Sequence, residues 1–331
     1  MALDNKILER AIARQRQDLE ERRQRFQSRA ARIYAGIPRV AEIDRELRGT
    51  MGQIVSSAFR RGADPTSAIQ ALKERNLSLQ RERAQLLAAH GYSADALEEK
   101  PLCPTCNDSG FTARGPCRCL MAYYTREQNR ELSKLLDLGN QSFDTFDFSW
   151  YSTDYWPEEK SSPRENMEIV YELCANYAHS FSPRSTNLLM TGAPGLGKTF
   201  LSACIAREVS DAGFSVVYDT AAHIFAQFES GKFGRENPYD EDANADIHRY
   251  LHCDLLIADD LGSEMATVLV TSALYQIVNT RLITGKQTIL NTNLPLSELG
   301  RRYGAATLSR IEGDYQILTF FGEDIRKLKL R

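Results

Sequence analysis

Residues 187–200 read Asn187-Leu188-Leu189-Met190-Thr191-Gly192-Ala193-Pro194-Gly195-Leu196-Gly197-Lys198-Thr199-Phe200. The apolar run Leu188-Leu189-Met190 has the character of a strand. Gly192 to Thr199 fits G-x-x-x-x-G-K-[ST], and Phe200 to Val209 carries a helical pattern. Strand, glycine loop and helix in this order are the context in which the motif cradles phosphates. The glycines let backbone N–H groups turn inward, and the helix N-terminus adds its partial positive charge. Lys198 would neutralise β- and γ-phosphates, and Thr199 would hold Mg2+ through its hydroxyl. Gly192, Ala193, Pro194, Gly195, Leu196, Gly197, Lys198, Thr199 and Phe200 are the expected nucleotide contacts. The alternative, a chance glycine turn, does not account for the flanking strand and helix.

Downstream, Leu255-Leu256-Ile257-Ala258-Asp259-Asp260 is an apolar strand that ends in two carboxylates. Asp259 is the expected anchor of Mg2+ through its waters, and Asp260 the expected general base for an attacking water. Adjacent residues of a strand point to opposite faces, so both reach one site only if the chain twists at the strand end. A polar strand cap is the alternative reading, and the P-loop sixty residues upstream speaks against it. Thr288-Ile289-Leu290-Asn291-Thr292-Asn293 is a further strand with amides at its exit. In open α/β sheets, ligands bind at that end. Asn293 is read as the amide that orients water and senses a γ-phosphate, and Asn291 as a turn-facing amide. Arg310, in Thr307-Leu308-Ser309-Arg310-Ile311, carries the planar fork suited to a γ-phosphate in the transition state. Arg301, Arg302 and Arg326 compete with it, and each also fits an ordinary surface or salt-bridge arginine.

From residue 166 onward, β-like runs (187–191, 215–218, 254–258 and 288–290) alternate with helical ones. That alternation predicts a parallel α/β sheet in a C-terminal domain over 166–331. The first hundred residues read as helices. Ile12, Leu19, Phe26 and Ile33 recur every seven residues, and Gly36 and Pro38 close that helix. A second helix carries Val40, Ile43, Leu47, Ile54 and Val55. Asp64-Pro65 reads as the start of a third, which stops near Gly91. The domains expected are thus a helical partner-binding region (1–100), a zinc-binding module (101–122), a connector (123–165) and the ATPase domain (166–331). Glu229 to Asp246 is polar and acidic and reads as an exposed loop.

The chain has 331 residues and a formal net charge of -3. Residues 1–100 hold 19 Lys+Arg against 14 Asp+Glu, so the first third is mildly basic and the remainder acidic. Two readings of Arg10, Arg14, Arg16, Arg22, Arg23, Arg25, Arg29 and Arg32 stay open: contact with an acidic partner, or a solvated face paired with Asp18, Glu20 and Glu21. No apolar run approaches the ~18 residues of a membrane span, and the start has no secretory core. A cytoplasmic protein without membrane contact is expected.

Four of seven cysteines fall in one short stretch. Cys103-Pro104-Thr105-Cys106 is a C-x-x-C knuckle, and Cys117-Arg118-Cys119 a C-x-C pair ten residues on. Four thiolates suit a tetrahedral, structural Zn2+. A redox dithiol is the alternative, but no thioredoxin-like βαβ pattern surrounds them. His90 is a reserve ligand. Cys174, Cys204 and Cys253 read as buried core residues. Phe143, Phe146, Phe148, Trp150, Tyr151, Tyr155 and Trp156 cluster ahead of the ATPase domain. Packing is the preferred reading and base stacking the alternative.

With these residues in view, the P-loop GAPGLGKT, the strand DLLIADDLG, the segment TILNTN and the ending LSRIEGDYQILTFFGEDIRKLKLR resemble the DnaC/DnaI-type AAA+ ATPases. These are replicative helicase loaders, with IstB transposition helpers as relatives. The segment LLAAHGYSADALEEKPLCPTCNDSGFTARGPCRCL is similar to the zinc module of the DnaI-like branch. The resemblance covers roughly residues 80–331. It implies an AAA+ P-loop parallel sheet flanked by helices, preceded by a helical region and a small zinc-binding module. It makes Lys198 and Thr199 contacts of ATP and Mg2+, Asp259 and Asp260 the acidic pair, Asn293 the sensor and Arg310 an arginine finger acting on ATP bound to a neighbouring subunit. Two departures stand out: Asp-Asp replaces the Asp-Glu of many AAA+ enzymes, and little chain follows Arg326, a candidate second sensor, to build a helical lid. The resemblance also implies that the aromatic segment passes near adenine. The implied function is ATP-dependent loading of a DnaB-type replicative DNA helicase, with single-stranded DNA as a further partner and self-association through the AAA+ interface. Alternatives are an IstB-like helper that binds DNA and a transposase, a nucleotide-gated adaptor with negligible hydrolysis, and, more remotely, a metabolic kinase.

Overall fold

Alternation along strand β3 (Asn187–Gly192) sends Leu188 and Met190 to one face of a sheet and Leu189 to the other. Successive side chains on a strand point oppositely, so a strand apolar at every position is buried on both faces. The computed structural model describes residues 3–58, 65–132, 141–233 and 241–330, with the backbone course alone over 50–58, 65–69, 231–233 and 241–245. The chain divides into two compact units, one formed by Met1–Ile12 with Arg118–Arg331, the other by Ala13–Cys117.

The first unit carries five parallel strands in the order β4-β5-β6-β3-β7. They are β4 (Val216–Thr220), β5 (Leu255–Leu261), β6 (Gln287–Thr292), β3 and β7 (Tyr315–Phe320). Helices α5 (Pro163–His179) and α6 (Lys198–Asp211) enclose one core with Leu188, Ile257 and Ile289. On the other face lie α7 (Ala221–Phe233), α8 (Glu241–His252), α9 (Val268–Ile283), α10 (Leu296–Tyr303) and α11 (Ala305–Asp314), over Leu189, Leu256 and Leu290. A short α12 (Ile325–Leu328) closes the chain. The four strand-like runs of the sequence all appear as strands. β7 escapes that reading because polar Gln316 and Thr319 interrupt its apolar residues. It pairs with β3 along its whole length. The polar stretch 229–246, expected as a loop, is instead largely the end of α7 and the start of α8, while 234–240 lies outside the described residues.

Strand β4 is an edge, and α4 (Arg118–Leu132) covers it. The amide of Gln128 accepts from Val216 N at 3.1 Å and donates to Phe214 O at 2.7 Å and Ser210 Oγ at 2.6 Å. A side-chain amide thus takes the place of a further strand, which removes an aggregation-prone edge. Ile7 and Ala11 pack on Leu120 and Tyr124 of α4. Arg249 joins Asp4 and Glu131, and Arg10 joins Glu131.

The second unit holds most of α1 (Asn5–Gly36), α2 (Pro38–Ala58), α3 (Pro65–Ala89) and a hairpin of β1 (Phe111–Thr112) with β2 (Gly115–Pro116). Among the described residues its core gathers Ile33, Ile37, Val40, Leu87 and Ala96. Gly36 and Pro38 do separate the first two helices, and α3 is described from Pro65 onward. The Asp64 cap lies outside the described residues. Gly91, at φ +78°, ends α3 with Tyr92 N bonded to Leu87 O, the left-handed stop that glycine favours. The seven-residue stripe on α1 is corrected. Leu19 and Phe26 are half-buried, and the buried positions are Ile7, Ala11, Gln15 and Ile33, because apolar cores meet this helix near its ends. Arg14 pairs with Asp18 as a solvated face would, and Arg22 and Arg23 reach Asp108 and Glu99.

Arg281, in the last turn of α9, is fully buried. Its guanidinium donates to Tyr250 O (2.7 Å), Gln287 O (2.5 Å), Thr288 Oγ1 (2.9 Å) and Cys253 Sγ (3.3 Å). Removing it strands buried carbonyls and opens a cavity. Arg281→Ala is expected to cost about 3 kcal/mol or more in urea unfolding followed by circular dichroism. Arg281→Lys, which keeps charge but loses the fork, should fall between. A loss below about 1 kcal/mol for the alanine variant would place the guanidinium outside the fold's main supports.

Candidate nucleotide site and cysteine cluster

The loop after β3 turns on glycines at φ +147° (Gly192), +80° (Gly195) and +98° (Gly197). At each of the three a Cβ would come closer than 3.0 Å to another atom. A Cβ on Gly192 would lie 2.0 Å from Phe320 O, and one on Gly195 would lie 1.8 Å from Asp324 Oδ1. Ala193, Pro194 and Leu196 complete the loop, Gly197 caps α6, and Lys198 is the first residue of that helix, followed by Thr199 and Phe200. Lys198 Nζ donates to Gly192 O (2.6 Å) and Ala193 O (2.8 Å). Burial lowers its ammonium to about 8, against the opposing pull of Asp259 and Asp260. Ile325 N bonds to Gly195 O at 3.1 Å, so α12 is tied to the loop.

The acidic pair sits on β5 where its register with β6 shifts between Ala258 and Leu261. Asp260 takes φ +60° there, a left-handed conformation rare for a residue with a Cβ. This bulge, more than a twist of the strand end, brings two neighbouring carboxylates to one site. Asp259 Oδ2 accepts from Thr199 Oγ1 at 3.0 Å and from the Tyr218 hydroxyl. Its Oδ1 accepts from Asn291 Nδ2 at 2.9 Å and from Asp260 N at 3.0 Å. Burial, and then the Asp259 charge, push the Tyr218 phenol far up, so it stays a donor.

Asn293 Nδ2 donates to Asp260 Oδ1 at 3.1 Å. Asn291, expected as a turn-facing amide, is corrected. It lies within β6, fully buried, bonded to Asp259 and to Ser202 Oγ (2.7 Å). Its Oδ1 has no hydrogen-bond partner among the described residues. The spacing Asn291-Thr292-Asn293 puts both amides on one side of the strand, a period-2 signal present in the sequence. Tyr218 carried no such signal, since one tyrosine in an apolar strand reads as core.

Lys198, Thr199, Asp259, Asp260, Asn291 and Asn293 line one cavity of about 650 Å³. Arg326 lines it as well. Arg310 does not. It lies on α11, 4.6 Å above the Tyr275 ring and bonded to Asn279 Oδ1 at 3.0 Å. Phe146, Trp150 and Tyr151 line it too. Tyr151 donates to Leu196 O at 3.0 Å, and Phe146 stacks on Tyr151 and packs edge-on to Phe200. The aromatic segment packs on the core, the preferred reading, and three of its rings also line the cavity.

The four clustered cysteines place their sulfurs within 4.8 Å of one another, Cys103 and Cys117 at 3.7 Å. A tetrahedron with Zn–S of about 2.3 Å has S···S edges of about 3.8 Å, so the set fits zinc. Asp108 shapes the knuckle by accepting from Leu102 N (3.0 Å) and Cys103 N (2.8 Å). The Cys106 backbone N–H is the first cause that lowers the Cys103 thiol, to about 6. His90 is not one of the grouped ligands. Cys174, Cys204 and Cys253 are buried as expected, and burial raises all three thiols.

Comparison with known proteins follows the same outline. The replicative helicase loader DnaC of Buchnera aphidicola is 27% identical over 171 residues, which is 49% of this chain and 68% of that protein. A protein named for ATP binding, from insertion sequence IS5376 of Geobacillus stearothermophilus, is 24% identical over 200 residues, 58% of this chain and 70% of its own. A crystal structure of the DnaC helicase loader aligns with 56% of this chain and 99% of that one, at a TM-score of 0.43 and 20% identity. The family of IstB-like ATP binding proteins matches residues 161–327, which take in α5, the phosphate loop, the acidic pair and all five strands of the sheet, and this chain belongs to that family.

Proposed function

We propose that the protein is an ATP-dependent loader of a replicative DNA helicase of the DnaB type. The observation that carries the nucleotide chemistry is the single cavity that gathers Lys198, Thr199, both carboxylates and both asparagines. Residues 166–331 act as the ATPase domain, 123–165 as its connector, 101–122 as the zinc module and 1–100 as the region that grips the helicase. Gly192 to Phe200 wrap the phosphates. Lys198 exchanges its two carbonyl partners for β- and γ-phosphate oxygens, which offsets its buried charge. Thr199 and Asp259 would hold a Mg2+ ion, which would neutralise charge on the phosphates. Asp260 takes the proton of the attacking water, the oxygen bonds to the γ-phosphorus, and the bond to the β-bridging oxygen breaks to release ADP and phosphate. Asn293 holds Asp260 in place and senses the γ-phosphate. Arg310, outside its own cavity, serves a neighbouring subunit, and hydrolysis works as a switch of subunit contacts. Single-stranded DNA binds the ATPase domain. Four thiolates in a closed set make the zinc structural.

The relative named as a helicase loader supports this reading, and the relative from an insertion sequence supports its rival, an IstB-like helper that presents DNA to a transposase. The helical unit and the cysteine cluster lie upstream of the family match and favour the loader, because a loader needs a grip on its helicase.

Lys198→Ala should weaken ATP binding more than about tenfold by calorimetry, since it removes a charge-assisted contact. Asp260→Asn should bind ATP almost normally and lose about 100-fold or more in turnover. Equal turnover in Asp260→Asn would end the general-base assignment. One zinc per chain is expected by elemental analysis, and Cys103→Ser with Cys106→Ser should abolish it and lower the melting temperature. Light scattering of the protein mixed with its host's replicative helicase should show a complex in ATP that ADP or Lys198→Ala weakens. No complex in any nucleotide state, together with binding to a transposase and DNA, would favour the rival.

A further inference from the structure

Thr199 and Asp259 set a hydroxyl and a carboxylate 3.0 Å apart, hard oxygen donors of the kind that suit Mg2+. Such an ion keeps several of its waters, which need acceptors around it. Asp259 has no acceptor position left for one. Its Oδ1 accepts from Asn291 Nδ2 at 2.9 Å and from Asp260 N at 3.0 Å, and its Oδ2 from Thr199 Oγ1 and the Tyr218 hydroxyl. Each oxygen of a carboxylate takes about two donors. One of the four must therefore yield when Asp259 turns to a bound cation. Three are held in place. The Asp260 N–H belongs to the backbone and is set by the register shift of β5. Asn291 Nδ2 also donates to Ser202 Oγ at 2.7 Å, so that amide is anchored at a second point. Thr199 would stand on the cation itself. The fourth is the Tyr218 hydroxyl, on a ring that is 6% exposed.

We propose that the Tyr218 hydroxyl occupies Asp259 in competition with a divalent cation, so that Tyr218 is a positioning residue that loosens the site's hold on that cation. This rests on the nucleotide reading above and deepens it. Parting a buried hydroxyl from its acceptor costs free energy, and that cost is subtracted from cation binding. The same hydrogen bond also satisfies the carboxylate charge, which leaves Asp259 a weaker acceptor for anything else. Tyr218→Phe keeps the ring and opens one acceptor position on Oδ2. A hydroxyl that only braces the fold predicts the opposite sign. With one tie gone, Asp259 would be less well placed and the cation would bind more weakly.

The test measures ADP binding to the full-length protein by calorimetry, with Mg2+ and with no divalent cation added. ADP serves because it is not turned over. The ratio of the two affinities reads the hold on the cation, since contacts made by the nucleotide alone cancel. That ratio should be about fivefold larger in Tyr218→Phe than in the wild type, the effect of one hydrogen bond to a buried group. Tyr218→Met lacks the hydroxyl as well and should also raise it, so the outcome does not hang on the folding of one variant. A ratio that is unchanged or lowered in a variant that binds ADP overturns the role of Tyr218 and leaves the nucleotide reading intact. A wild type whose ADP affinity ignores Mg2+ removes the cation from the site and this inference with it. A wild type that binds no ADP removes the nucleotide reading too.

Discussion

The carboxylate of Asp259 holds the site together. A carboxylate has about four lone-pair directions, and here each oxygen receives two donors. Thr199 brings α6, Tyr218 brings β4, Asn291 brings β6, and the Asp260 amide fixes β5 itself. One charged group therefore ties together three neighbouring strands and the helix that follows the phosphate loop. Because the charge is half-buried, losing a donor strands the others, which makes the cluster cooperative.

That arrangement explains the conformation of the next residue. Asp260 donates its backbone N–H to Asp259 Oδ1 while sitting at φ +60° in a register shift. Conformations of this kind cost of order 1–3 kcal/mol in residues with a Cβ and persist where their surroundings impose them. The gain is positional. Without the bulge, Asp260 would point to the opposite face of the sheet from Asp259, and only one carboxylate would reach the cavity.

Sequence pattern carried the parallel sheet, the phosphate loop and the acidic pair because each leaves a local signature: four apolar runs, a glycine spacing and two acids at a strand end. It also placed the helix breaks at Gly36 and Pro38. What it missed depends on partners far along the chain. Polar Gln316 and Thr319 break up the apolar residues of β7, so its place beside β3 shows only in the pairing. Asn291 looked like a turn residue because the reach of β6 to Thr292 is decided by its neighbours β3 and β5. Leu19 and Phe26 repeat every seven residues, yet the burial of a helix follows what packs on it, and the cores meet α1 near its ends. Tyr218 has no motif at all. Its place on the Asp259 carboxylate exists only in the fold.

Half-buried Asp259 and fully buried Arg281 sit at opposite edges of the sheet, and helix polarity sorts them. In a parallel sheet with returning helices, every helix starts near the C-terminal edge of the strands and ends near the N-terminal edge. Helix N-termini carry partial positive charge and C-termini partial negative charge. Asp259 lies at the first edge, bonded to Thr199 in the opening turn of α6. Arg281 lies at the second, in the closing turn of α9, and donates to the Tyr250 carbonyl in the last turn of α8. Each ion faces helix ends of the opposite sign, so both are tolerated without an ion-pair partner of their own in direct contact. The edges differ in what remains to be bound. Two carbonyls, a hydroxyl and a sulfur surround Arg281, while Lys198, Asp259, Asp260, Asn291 and Asn293 line one cavity at the Asp259 edge. Arg281 thus bonds only to the fold around it, whereas Asp259 both ties strands together and lines the cavity, so substitutions at the two should differ in their effects.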